Sequence, residues 1–224
     1  MPRPARKDIL GSGDCVIHLY IRCHNGDYLF AEEVVKLFIC QLLLKFKTIY
    51  GILVYDYTIM DNHIHLVLYV SFTQHLSKFM QRVNGALARF INKKYGRTGR
   101  VFGDRAKTPV IGDRNYHLAT QVYIATNPVR AGMVKKAKDY AWSGYRHYAY
   151  GEENLLIDDA PEYLGLSKVP AIRRKMYREF FIAKAKSYKN RRPEFTTWYF
   201  IGDKDWILKM MTERGLLRPK KPPD

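Results

Sequence analysis

The sequence predicts an α+β protein: a ferredoxin-like antiparallel sheet with helices on one face, followed by a C-terminal helical extension. Three observations predict it. Short β-branched stretches and two long runs with apolar residues at helical spacing follow the order strand, helix, strand, strand, helix, strand, helix, which is the split βαβ pattern. Of 224 residues, 47% are hydrophobic, enough for a sizeable core, yet no apolar run approaches the roughly 18 residues of a membrane helix. No internal repeat competes with this reading.

Each element has its own signal. CVIHLYIRC (15–23) alternates and is β-branched, so it predicts a strand. AEEVVKLFICQLLLKFKTIY (31–50) predicts an amphipathic helix. GILVYDYTI (51–59) and HIHLVLYV (63–70) predict two strands, and Asp61 and Asn62 supply turn chemistry for a hairpin between them. Residues 73–96 predict a second long helix, with Thr73 as its N-cap and Gly96 at its end. RVFGDRAKTPVI (100–111) reads as a broken strand, and DRNYHLATQVYIAT (113–126) as a third helix capped by Asp113 and stopped by Pro128. Residues 1–150 form the expected main domain. Residues 151–224 change character, with a basic run at 173–192 and a Lys/Pro tail, and predict a helical extension with a disordered end.

Charge narrows the function. Lys and Arg total 38 against 21 Asp and Glu, a formal +17, and a field of that sign draws polyanions. Nucleic acid is the expected partner, since no basic helix with a clean apolar face points to a membrane surface. Between residues 82 and 107 the basic residues are Arg82, Arg89, Lys93, Lys94, Arg97, Arg100, Arg105 and Lys107, with Asp104 the one acid. They are candidate phosphate contacts. The three cysteines are odd in number with no CxxC spacing, and the N-terminus lacks the apolar core of a secretory signal, so a reducing cytoplasm is expected.

The strand at 63–70 carries the chemistry. Side chains at i and i+2 share a face, so His63, His65, Val67 and Tyr69 line one side, and Ile64, Leu66, Leu68 and Val70 the other. Two adjacent imidazoles can bind one cation. On the third helix, Tyr123 and Asn127 are four apart and therefore neighbours. Asn supplies a hard carbonyl oxygen, and Tyr a phenolate nucleophile. Each pattern alone has an ordinary reading as solvated surface. Together they make a defined site. Tyr116 is a rival nucleophile without an Asn four residues on.

MDNHIHLVL, RVFGDRAKTPVI and YIATNPVRAGMV, in that order, resemble the REP-associated tyrosine transposases, relatives of the single-tyrosine HUH transposases. Asp61 replaces a family proline, and Gly144 in DYAWSGYRHY replaces the second Ser of a Trp-Ser-Ser element. The likeness extends over roughly residues 15–185. It implies the HUH nuclease fold and metal-dependent cleavage and rejoining of single-stranded DNA beside hairpin-forming palindromic repeats, through a covalent 5′-phosphotyrosine. It implies His63, His65 and Asn127 as metal ligands, Tyr123 as nucleophile, and a Mg²⁺ or Mn²⁺ cofactor. It further implies a monomer acting in cis in a prokaryotic, nucleoid-associated setting. Arg130 is a further DNA-contact candidate, or a counter-charge at the helix end. The alternative is a catalytically silent hairpin-binding protein on the same fold. An RNA-binding ferredoxin-like module fits less well, because its Lys/Arg-Gly-Phe aromatic signature is missing.

Overall fold

A computed structural model describes residues 4–188, 190, 192–196 and 198–216. The Lys/Pro tail predicted to be disordered lies outside the described residues. A short helix α1 (Arg6–Leu10) precedes strand β1 (Cys15–Arg22), helix α2 (Glu33–Tyr50), the hairpin of β2 (Leu53–Ile59) and β3 (His63–Val70), and helix α3 (Thr73–Lys94). Then come β4 (Val110–Ile111), α4 (Arg114–Ala125), α5 (Asn127–Arg130), α6 (Tyr145–Tyr150), α7 (Pro161–Leu164), α8 (Pro170–Ala185), α9 (Pro193–Thr196), β5 (Phe200–Ile201) and α10 (Lys204–Glu213). The α+β class and the strand–helix order match the expectation. No helix among the described residues is long and apolar enough to cross a membrane, and Cys15, Cys23 and Cys40 are all free thiols.

The sheet order is β2-β3-β1-β4-β5. All pairings are antiparallel except that of β4 with β5, which the extension contributes. The pleat divides the sheet as its alternation dictates. Ile17, Leu19 and Ile21 of β1 join Ile64, Leu66 and Leu68 of β3 on an apolar face, buried beneath α2 and α3. Phe38 and Phe90 stack between those two helices at 4.2 Å. On the other face β1 places His18, Tyr20 and Arg22 against Val67, His65 and His63, and α4 lies over this side.

Two local details differ from the sequence reading. Thr73 is inside the first turn of α3 rather than its cap; Phe72 is the cap, and the Thr73 hydroxyl donates instead to the Gly11 carbonyl at 2.8 Å. Of the stretch 100–111, only Val110–Ile111 forms a strand, while Lys107 and Phe102 make single bridges to Tyr20 and Cys23. Asp113 does cap α4, accepting from the amides of Asn115 and Tyr116.

Candidate active site

The turn before β3 presents the first histidine. Met60 N–H donates to the His63 carbonyl at 2.8 Å, closing the turn. Buried Lys36 holds Asp61 at 2.6 Å, so a salt bridge to α2 anchors the position where the resembled family has proline. Asn62 donates through Nδ2 to the Gly26 carbonyl at 3.0 Å, and its Oδ1 lies 2.6 Å from His63 Nδ1. Two residues on, the pleat brings His65 to the same side. The two imidazoles are 4.9 Å apart, centroid to centroid, and nearly perpendicular. The Tyr20 ring lies 5.4 Å from one and 5.0 Å from the other.

Helix α4 supplies the phenol. Tyr123 meets His65 edge-on, with ring centroids 6.1 Å apart. Pro128 has no N–H, so the Ile124 carbonyl lacks its helical donor. Asn127 Nδ2 fills that gap at 3.1 Å and also donates to the Tyr123 carbonyl at 3.1 Å. With its NH₂ committed, the amide turns Oδ1 to the Arg130 guanidinium, which donates to it. The same guanidinium lies 4.6 Å over the Tyr123 ring. His63, His65, Tyr123, Asn127 and Arg130 thus line one cleft of about 380 Å³, together with Tyr20, Arg22, Asn62 and Thr196.

Behind the cleft is His18, wholly buried. Its Nδ1 is 2.6 Å from the Phe195 carbonyl and its Nε2 is 2.8 Å from His65 Nδ1. Burial pushes its pKa down to about 4, partly opposed by the Phe195 carbonyl. Phe195 also covers the phenol: its ring stacks on Tyr123 at 4.3 Å, Tyr188 meets that ring edge-on at 5.9 Å, and Tyr123 is only 1% exposed.

Among the described residues no group of three or more His, Cys, Asp or Glu gathers to hold a metal. A cation here therefore needs an oxygen besides the two imidazoles. Asn127 Oδ1 is an amide oxygen in the same cleft that can meet that need once it exchanges the Arg130 guanidinium it now accepts from. Two nitrogens with an amide oxygen form a mixed set of the kind that can hold a divalent cation.

Comparison with known proteins bears on the family and the fold. The family model described as "Transposase IS200 like" matches residues 12–127, just over half the chain. The chain belongs to the IS200-like transposase family. The match takes in both histidines, Tyr123 and Asn127, and stops short of Arg130 and the extension. Among solved structures, one of a REP-associated tyrosine transposase bound to a REP hairpin shares the fold, with a TM-score of 0.55 at 14% identity. That alignment covers 71% of this chain and 93% of the other. No curated protein gives a significant match.

The structure separates the remaining candidates. Tyr116 lies in a different cavity, beside Tyr188 and Ile207, and does not line the histidine cleft. Arg105 and Lys107 line an adjoining cleft of about 430 Å³ that shares Tyr20 and Arg22 with the first; Arg105 also donates to the Pro4 carbonyl. Arg82, Arg89, Lys93 and Arg100 are exposed and line neither cleft. Lys94 pairs with Glu32 at 2.8 Å, and Arg97 with Asp27 at 3.9 Å. Sequence reasoning missed Tyr20, Arg22 and Asn62 as cleft residues and Phe195 behind them; from β1 it offers only His18, as a histidine able to line the same sheet face or to serve structurally, and there the structure places it. The alternation of β1 puts His18, Tyr20 and Arg22 on one face, but only the pairing of β1 with β3 reveals which face that is.

Proposed function

We propose that this family member is a metal-dependent single-stranded DNA endonuclease and strand transferase acting beside DNA hairpins. The observation that carries the reading is the single cleft shared by His63, His65, Tyr123, Asn127 and Arg130. A bound Mn²⁺ or Mg²⁺, held by both imidazoles and Asn127 Oδ1, would polarise a scissile phosphate and offset the charge that develops on it. Tyr123 Oη attacks the phosphorus and gives up its proton; the 3′ oxygen leaves and takes one up. A 5′-phosphotyrosyl bond forms as the phosphodiester breaks, and its energy lets a 3′-OH reverse the step. A free phenol titrates near pH ~10, so its anion needs help, and the Arg130 cation over the ring stabilises it. The reading includes a monomer that brings Tyr123 to its own histidines in cis. DNA as partner is supported by the net charge of +17 and by the hairpin bound to the structurally similar transposase.

The second reading, a catalytically silent hairpin binder, has its own observation: Tyr123 is buried against Phe195. A labelled hairpin-flanked oligonucleotide, incubated with Mn²⁺ and run on a denaturing gel, separates the two. Wild type is expected to give a shifted covalent adduct and Tyr123→Phe none. Binding without an adduct from wild type would establish the silent binder.

A further inference from the structure

We propose that His18 and Asn62 are positioning residues that set the tautomers of His65 and His63, and that the C-terminal extension starts one of these two chains through the Phe195 backbone carbonyl. The proposal deepens the metal reading above and rests on it for its purpose, though not for its geometry.

A carbonyl oxygen only accepts, so the 2.6 Å contact from Phe195 O requires the proton on His18 Nδ1. A neutral imidazole carries one N–H, and among the described residues wholly buried His18 meets a backbone carbonyl and aromatic rings but no carboxylate. Its Nε2 is therefore the acceptor, and the 2.8 Å contact requires His65 to donate from Nδ1. The lone pair of His65 is thereby assigned to Nε2. The second chain runs the same way. Asn62 Nδ2 donates to the Gly26 carbonyl, which orients the amide and leaves Oδ1 as the group facing His63 Nδ1 at 2.6 Å. His63 then donates from Nδ1 and presents its lone pair at Nε2. Two histidines on one strand are set by two unrelated acceptors to the same tautomer. The same nitrogen of each ring is then the one able to ligate a cation, and the choice is set before the cation arrives.

The first chain begins outside the part of the sequence that matches the family. Phe195 lies beyond residues 12–127, the part that matches the family model. The same residue that stacks its ring on Tyr123 directs its carbonyl at His18. The extension thus acts on nucleophile and ligand from one point.

The test is long-range ¹H–¹⁵N correlation spectroscopy of histidine-labelled, metal-free protein above neutral pH, paired with calorimetric titration of MnCl₂. Wild type is expected to show His18, His63 and His65 all protonated at Nδ1. His18→Ala should lose the bias at His65 alone, and Asn62→Ala that at His63 alone. Each should weaken Mn²⁺ binding by on the order of 10–100-fold. His18→Gln, whose amide can accept from His65 while donating to Phe195 O, and Asn62→Asp, which keeps an acceptor oxygen, should restore most of both signals. Wild-type spectra with Nε2–H at His63 or His65 would overturn the proposal, and need no variant to fold. So would unchanged tautomers and Mn²⁺ affinity in a folded His18→Ala. Expected tautomers with no Mn²⁺ binding by wild type would support the positioning chains while overturning the metal reading.

Discussion

Asp56 has no place to put a negative charge. It lies on the histidine-bearing face of β2, wholly buried, and its Oδ2 has no hydrogen-bond partner among the described residues. Burial holds its carboxyl well above the usual range, although the Tyr57 and Gly144 amides pull the other way. The folded state therefore keeps a proton that the unfolded chain releases above pH ~4. Stability from this group is fully present below that pH and is lost as pH rises toward the folded pKa, by at most ~1.4 kcal/mol per pH unit. Asp56→Asn carries no such proton and keeps Oδ1 for the Tyr57 amide. Urea denaturation is expected to show the variant gaining on wild type steadily above pH ~4; parallel curves would mean that Asp56 is charged in the fold. The same carboxyl explains Gly144, where the resembled family has Ser. A Cβ there would come 2.2 Å from Asp56 Oδ1 and 2.7 Å from Ile157 Cδ1. Gly144→Ser should therefore cost a few kcal/mol, on the scale of about 1–3 kcal/mol for overpacking, read as a lower urea midpoint. None of this was visible in the sequence. Asp56 sits within an apolar strand pattern, and its partner face depends on the irregularity in β2 pairing between Val54 and Asp56.

At the scale of elements, what could be read was what repeats. The period of two in β3 gave the shared face of His63 and His65, and the spacing of four gave Tyr123 beside Asn127, because both are properties of one element. The contribution of residues 186–201 has no period to read. Its strand β5 is two residues long, and Phe195 reaches Tyr123 only because β5 pairs with β4 and draws the segment across the sheet. The packing has a cost when removed. Phe195→Ala leaves the backbone carbonyl but deletes a ring that is 3% exposed between Tyr123 and Tyr188. A loss of about 3–5 kcal/mol is expected, which for a chain of this size is a fall in Tm on the order of 10 °C. Tyr123 should at the same time become reachable by tetranitromethane, with nitration located by mass spectrometry. A variant that melts lower but leaves Tyr123 unmodified would show that the neighbouring elements, rather than Phe195, close the cleft over the phenol.

For the whole molecule the question is which basic surface would carry the proposed DNA partner. The net charge of +17 draws polyanions and would make the proposed DNA binding salt-sensitive, but it does not say where the DNA lies. The run from Arg82 to Lys107 is contiguous in sequence and divided in space. Arg82, Arg89 and Lys93 ride the exposed side of α3, over the apolar face of the sheet, while Arg105 and Lys107 reach the histidine face beside Arg22. A strand whose phosphate sits between His63 and Tyr123 continues most directly into the adjoining cleft, through the shared walls of Tyr20 and Arg22. Removing one cation that neutralises a phosphate should flatten the dependence of log K on log salt by about one unit and weaken binding to all sequences alike. Arg22→Ala and Lys107→Ala are therefore expected to flatten the slope of hairpin-oligonucleotide binding, measured by fluorescence anisotropy over a salt series. Arg82→Ala and Arg89→Ala should leave it near the wild-type value. The reverse outcome would route the DNA along α3, behind the sheet, and the cleft would then receive only the nucleotide being cut.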